Sequence, residues 1–328
     1  MSNVAPGRSC PLRYRYGARA IAQAAEKDAQ TLYVIGGLYG NLQALDAVEA
    51  MARAEAGPAT LCFNGDFNWF DVDDRQFAEL NRRVLSHDAI VGNVEAEFDS
   101  VDSDAGCGCA YPAHVDAGIV ERSNAIHREL TRTARRHPEI LQRIAALPMV
   151  ARYRVAGCRV GVVHGDADSL AGWSFDVDAL DDPASHPALI AAFEAAAVDL
   201  FACTHTCLPA VRELGRVSER QRLVVNNGAA GMPNFAGELH GLLTRVGRSP
   251  SPHPPLHETC VAGAYVALLP IRYDAARWEA EFLAQWPPGS PAWLSYHARI
   301  ARGPAYSTGR AVTTPPHLHP STPWTFEH

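Results

Sequence analysis

No stretch of the 328 residues approaches the roughly 18 uninterrupted apolar residues of a membrane span. The opening segment MSNVAPGRSCPLRYRYG also lacks the apolar run of a secretory leader, so a cytoplasmic protein with no membrane partner is expected. Long Lys/Arg blocks are missing as well, and a formal net charge of −7 argues against extended nucleic acid as a partner. Eight cysteines in a chain of this length do not make a secreted disulfide framework. No two of them have the two-residue gap of the strong zinc motifs. There is no internal repeat.

A hydrophobic fraction of 47% with 20% charged residues is ordinary for a globular chain, and 25 glycines with 23 prolines imply many turns. The length suits either two average domains or one large α/β domain with insertions. Thr31–Leu38 is a short apolar run ending in glycine. After it Leu42, Leu45, Val48 and Ala52 recur at helical spacing up to Gly57. A second buried strand is expected over Ala59–Phe67, a second amphipathic helix from Asp73 to His87, and a third strand over Ala89–Asn93. Such alternation predicts a parallel sheet with helical crossovers.

Residues 94–124 interrupt the pattern with a small-residue loop containing Cys107 and Cys109, too long for a simple connection. Ala125–Pro148 reads as one helix. Two strands joined through Ala156-Gly157 follow, then a helix and strand ending near His205. Arg222–Asn234 and Ala264–Ala284 are expected to complete a second sheet. From Trp286 the chain is rich in Pro, Ser, Thr and His, and no structure is assigned after Arg302.

Four polar turns each close an apolar strand: Asn64-Gly65-Asp66, Gly92-Asn93, His164-Gly165-Asp166 and Thr204-His205-Thr206-Cys207. In α/β folds the carboxyl ends of strands converge, so these turns are expected to share one edge. Asp66, Asn93, His164 and His205 together offer carboxylate, amide and imidazole donors, a set suited to a divalent ion such as Mn²⁺, Fe²⁺ or Zn²⁺. Taken one at a time, a histidine at a strand end is most often structural and an aspartate after glycine is most often turn chemistry.

The order of these turns resembles the calcineurin-like metallophosphoesterase family, whose motifs run D-x-H, G-D, G-N-x-[DE], a strand-end H, and G-H-x-H. Gly65-Asp66, Gly92–Glu95, His164-Gly165 and Thr204–Pro209 match the last four, while Gly37–Asn41 fits the first only in its flanks. The resemblance covers roughly residues 31 to 283. It implies an αββα sandwich of two sheets, with an N-terminal segment 1–30, a catalytic-type domain 31–283 carrying a Gly/Cys-rich insertion near 96–124, and a Pro-rich tail 284–328.

The resemblance makes Asp66 the metal-bridging ligand, and Asn93, His164 and His205 the ligands of the second metal. The donors of the first metal align with Gly37, Tyr39 and Cys207, and all three differ from the motif. Gly37 has no donor, a tyrosine hydroxyl with an ordinary pKa near 10 ligates poorly at neutral pH, and a cysteine ligates once deprotonated. One divalent metal per chain is therefore expected, with the first position either lost or rebuilt around Cys207, with Cys107, Cys109 or Cys10 as further thiolates.

The implied chemistry is hydrolysis of a small phosphorylated substrate, a phosphatase or phosphodiesterase reaction through metal-bound hydroxide, with Tyr39 hydrogen-bonding the phosphoryl group. Val94 stands where the motif has a proton-donating histidine, which disfavours leaving groups that need protonation. The alternatives are a phosphate-ligand or protein-binding module with a structural metal, and a Cys-containing centre with non-phosphate chemistry.

Overall fold

The computed structural model describes residues 6–99, 105–217 and 220–313. Twelve strands form two six-stranded sheets. In chain order they are β1 (Glu26–Ala29), β2 (Thr31–Ile35), β3 (Ala59–Asn64), β4 (Asp88–Ile90), β5 (Val150–Val155), β6 (Cys158–Val163), β7 (Leu200–Cys203), β8 (Pro209–Val217), β9 (Arg220–Asn227), β10 (Gly241–Gly247), β11 (His257–Val261) and β12 (Ala264–Ile271). One sheet has the order β11-β12-β10-β2-β3-β4, the other β1-β5-β6-β7-β9-β8. In the first, β2, β3 and β4 run parallel, whereas β10, β12 and β11 join by antiparallel pairing. In the second, β6, β7 and β9 are parallel.

The period-two rule explains the layers. Leu32 and Val34 of β2, with Cys62 of β3, pack among Val160, Val162, Leu200 and Val225 of the opposite sheet. Tyr33 and Ile35 point the other way, toward Leu45, Val48, Phe77 and Leu80 on the flanking helices. Strands covered on both faces need apolar residues at nearly every position, and β2 is buried throughout. The helices begin where the sequence offers caps: the Asn41 side chain accepts from Ala44 N at 2.8 Å before helix Leu42–Arg53, and Asp73 caps helix Asp74–Val84.

Several expectations change. The helix read over Ala125–Pro148 begins earlier and is two helices, Ala117–Ala134 and Pro138–Ala145, because Pro138 lacks the N–H that would continue the first and instead starts the second. Ala264–Ile271 belongs to the first sheet beside β10, and Ala275–Gln285 is a helix capped by Asp274. β1, β8, β10 and β11 were not anticipated. Structure also continues past Arg302: Thr308–Ala311 is a helical turn and Val312 bridges Val211. Residues 314–328 of the expected tail lie outside the described residues. No helix among those described is long and apolar enough to cross a membrane.

One buried ion pair ties the helical layer to the first sheet. Arg245 of β10 has no exposed side-chain surface, and its guanidinium donates to both oxygens of Glu55 at 2.6 and 2.9 Å, with Tyr33 donating to the same carboxylate at 2.8 Å. Removing one partner strands the other charge in the interior. Glu55→Ala is expected to cost about 3–5 kcal/mol in urea denaturation, and a loss below about 1 kcal/mol would show that water reaches Arg245.

Candidate metal centre

The carboxyl ends of β2, β3, β4, β6 and β7 lead into the five turns singled out in the sequence, and the two sheets are stitched together at this edge. Asn64 Nδ2 donates to the Val163 carbonyl at 3.1 Å, and Asn227 Nδ2 donates to Gly36 at 3.1 Å. Glycines allow the approach. A Cβ on Gly65 would lie 2.5 Å from both Gly92 Cα and His164 Nδ1, and one on Gly92 would lie 2.3 Å from Asp66 Oδ1. Asp66, Tyr39 and Cys207 all hold left-handed backbone, with φ of 53°, 56° and 64°. This is a costly conformation for side-chain-bearing residues, and it persists where the surroundings enforce it.

Asp66, His164 and His205 form a buried group whose donor atoms lie within 4.8 Å of one another. The His164 ring is fixed first. Its Nδ1–H donates to the Asn64 carbonyl at 2.8 Å, so in the neutral ring Nε2 carries a lone pair. Around that atom lie Asn93 Oδ1 at 3.0 Å, His205 Nδ1 at 3.2 Å and Asp66 Oδ1 at 3.4 Å. Asn93 cannot turn its amide the other way without cost, since Nδ2 donates to the Cys107 carbonyl at 2.9 Å.

Nitrogen and oxygen atoms from four strand ends thus face one another, joined by a proton on an imidazole or, in its place, by a cation. Ligands about 2.1 Å from a shared ion lie roughly 3.0–3.4 Å apart, and the three contacts to His164 Nε2 have that spacing. Electrostatics agree. Burial pushes His164 toward the neutral form, but the Asp66 carboxylate, with the Asn64 carbonyl and Glu95, raises the imidazole pKa. Burial likewise pushes Asp66 up, and His164 overcomes it, holding the carboxyl below its ordinary range. His205, buried beside His164, is pushed down to about 3 and stays neutral. The donor set therefore fits a divalent ion.

The position next to this group is filled by protein. A Cβ on Gly37 would sit 2.9 Å from the Tyr39 ring and hydroxyl, so the tyrosine occupies the space of the side chain that Gly37 lacks. The Tyr39 hydroxyl and Cys207 Sγ are 3.0 Å apart, and Sγ also reaches the His205 carbonyl at 3.3 Å. Burial, then Cys207, keeps the phenol well above its ordinary pKa, and burial raises the Cys207 thiol. Cys107 and Cys109 lie side by side with sulfurs 2.6 Å apart, and Cys109 reaches Asn93 Nδ2 rather than Cys207. Cys10 is hydrogen-bonded to Ser169.

Neither a family model nor a curated protein matches the sequence. Solved structures do match. A metallophosphoesterase from Sphaerobacter thermophilus is 19% identical, with a TM-score of 0.53 over 84% of this chain and 100% of that one. The chain has the metallophosphoesterase fold. A hypothetical protein from Pyrococcus horikoshii OT3 is similar too, at 14% identity and a TM-score of 0.57, over 84% of this chain and 99% of that one. The resemblance read from the motif order and the resemblance of the fold agree.

Within this metallophosphoesterase fold the sequence had not marked two features. One is Glu95, the acid of Gly92–Glu95. Its carboxylate accepts from the backbone N–H of Asp66 at 2.8 Å, Asn68 at 3.1 Å and Gly92 at 3.3 Å, and so holds the Asp66 turn. Burial and the nearby Asp66 charge push it up to about 7. The second feature is a pocket of about 190 Å³ above the donor group, walled by Trp69, Tyr111, Trp173 and Tyr296. No periodicity marks these rings, which come from loops and from a five-residue π-helix, Trp293–His297.

Glu95→Ala would leave three buried N–H groups without acceptors, each worth about 1–3 kcal/mol. The expected loss in chemical denaturation is about 3 kcal/mol or more. A variant as stable as the parent would show that water or another side chain takes over the turn.

Proposed function

We propose that the protein is a metal-dependent phosphoester hydrolase working with one divalent ion per chain. The supporting observation is the convergence of Asp66 Oδ1, Asn93 Oδ1 and His205 Nδ1 on His164 Nε2 at coordination spacings, at the floor of a pocket. These four residues would hold Mn²⁺, Fe²⁺ or Zn²⁺. A bound ion supplies Lewis acidity toward a phosphoryl oxygen and makes water more acidic.

The chain's own residues supply the rest. Asn64 and Cys107, through their carbonyls, orient His164 and Asn93. Tyr39 keeps its proton and stands at the pocket wall, where its hydroxyl can donate to a phosphoryl oxygen in place of a second cation. Cys207 positions that hydroxyl and lies outside the donor group. Val94 brings no proton to the leaving group. His127, 2.9 Å from the Val94 carbonyl and 3.4 Å from Thr131 Oγ1, does not line the pocket. Leaving groups that depart unprotonated are therefore favoured.

Metal analysis of the purified protein is expected to give nearer one ion than two per chain, with His164→Ala and His205→Ala each losing most of it. Release of nitrophenolate from an aryl phosphodiester should be stimulated by Mn²⁺ and fall about 100-fold or more in Asp66→Ala. Alkyl monoesters should react more slowly. Two tightly held ions, with the second dependent on Cys207, would favour a rebuilt thiolate site. Metal-loaded protein inert toward every phosphoester would favour a binding module.

A further inference from the structure

The pocket over the donor group has a chemical character of its own. Three of its rings come from chain segments unrelated to the motif turns: Tyr111 from the insertion, Trp173 from the loop after His164, and Tyr296 from the C-terminal π-helix. Their packing draws them together. Tyr111 and Trp173 have centroids 6.0 Å apart, and Trp173 meets His205 edge-on at 5.3 Å. Tyr296 meets Trp69 edge-on at 6.4 Å.

The polar atoms of two of these rings are already engaged by protein. The Tyr111 hydroxyl pairs with Ser123 Oγ at 3.0 Å, and Trp173 Nε1–H donates to the Cys109 carbonyl at 3.1 Å. What Tyr111 and Trp173 offer to the pocket is therefore hydrocarbon surface. Among the described residues no Lys or Arg lines it; Arg299 is turned away toward the Pro233 and Cys207 carbonyls.

Resting on the phosphoester reading above, we infer that this pocket selects phosphoesters carrying one flat, uncharged ring next to the phosphoryl group. An apolar cavity of about 150 Å³ holds benzene, so about 190 Å³ suits a single ring with its attachment. A second phosphate or a charged sugar acid would enter an aromatic wall without a cation to meet it. Aromatic pairing contributes on the order of 1 kcal/mol per contact beyond burial, and several rings converge here.

The test uses two probes of equal charge that resist hydrolysis, monomethyl phenylphosphonate and monomethyl butylphosphonate, titrated calorimetrically into the full chain with Mn²⁺. The phenyl probe should bind at least about tenfold more tightly. Trp173→Leu should bring the ratio toward one, and Tyr296→Leu serves as the second variant if the first fails to fold. Equal affinities in the parent protein, or no binding of either probe, overturns the inference. Metal-dependent hydrolysis indifferent to the ring would leave the proposed function standing and remove the selectivity. Ring-selective binding without hydrolysis would do the reverse.

Discussion

The hydrogen bond from His164 Nδ1 to the Asn64 carbonyl is the constraint on which the site depends. It crosses from the end of β6 to the end of β3, joining one sheet to the other, and Asn64 answers through its amide to Val163. The same bond chooses the imidazole tautomer, because a carbonyl only accepts. The lone pair on Nε2 is then aimed at Asn93, Asp66 and His205 by a contact that also sets how the two sheets meet. A ligand whose far nitrogen is anchored in this way loses little freedom when an ion arrives. Weakening the anchor would disturb sheet packing and ligand orientation together.

Around that anchor the centre is asymmetric. On one side are four ligand-type side chains gathered around His164 Nε2. On the other, Tyr39 folds into the space left by Gly37 and meets Cys207. Gly37, Tyr39 and Cys207 form one mutually fitted unit, since a side chain at 37 would collide with the tyrosine ring. Left-handed backbone at both Tyr39 and Cys207 shows that the turns are held in this arrangement by their surroundings. Beside the donors the space is taken by a hydrogen-bonding pair, Tyr39 and Cys207.

The half of the centre that was legible in the sequence was so because each donor follows an apolar strand, and strand ends in such folds share an edge. Asp66, Asn93, His164 and His205 needed only local patterns and their order. Sheet membership was harder. β12 returns antiparallel to the first sheet after a long excursion, and nothing within Ala264–Ile271 encodes its partner. The break at Pro138 is a local signal, since proline has no N–H to continue the preceding helix. The aromatic wall left no signal because its members sit in loops and a π-helix, where neither a period of two nor one of 3.6 applies. Glu95 was visible as an acid three residues after Gly92, but its task of binding three backbone N–H groups is a tertiary fact.

The origin of the wall in three separate segments has a consequence for local stability. The donor atoms belong to turns clamped between two sheets, and their opening requires disruption of the core. Tyr296, by contrast, is carried by a π-helix near the end of the described chain, held through contacts such as Arg122 to Ser295 Oγ and His297 to Glu279. Segments of this kind open at lower free energy than central strands. Partial unfolding at the C-terminal side would therefore leave the donor group in place and open the aromatic wall on which the inferred ring selectivity rests. The donor group and the aromatic wall thus belong to parts of the chain with different lifetimes of order.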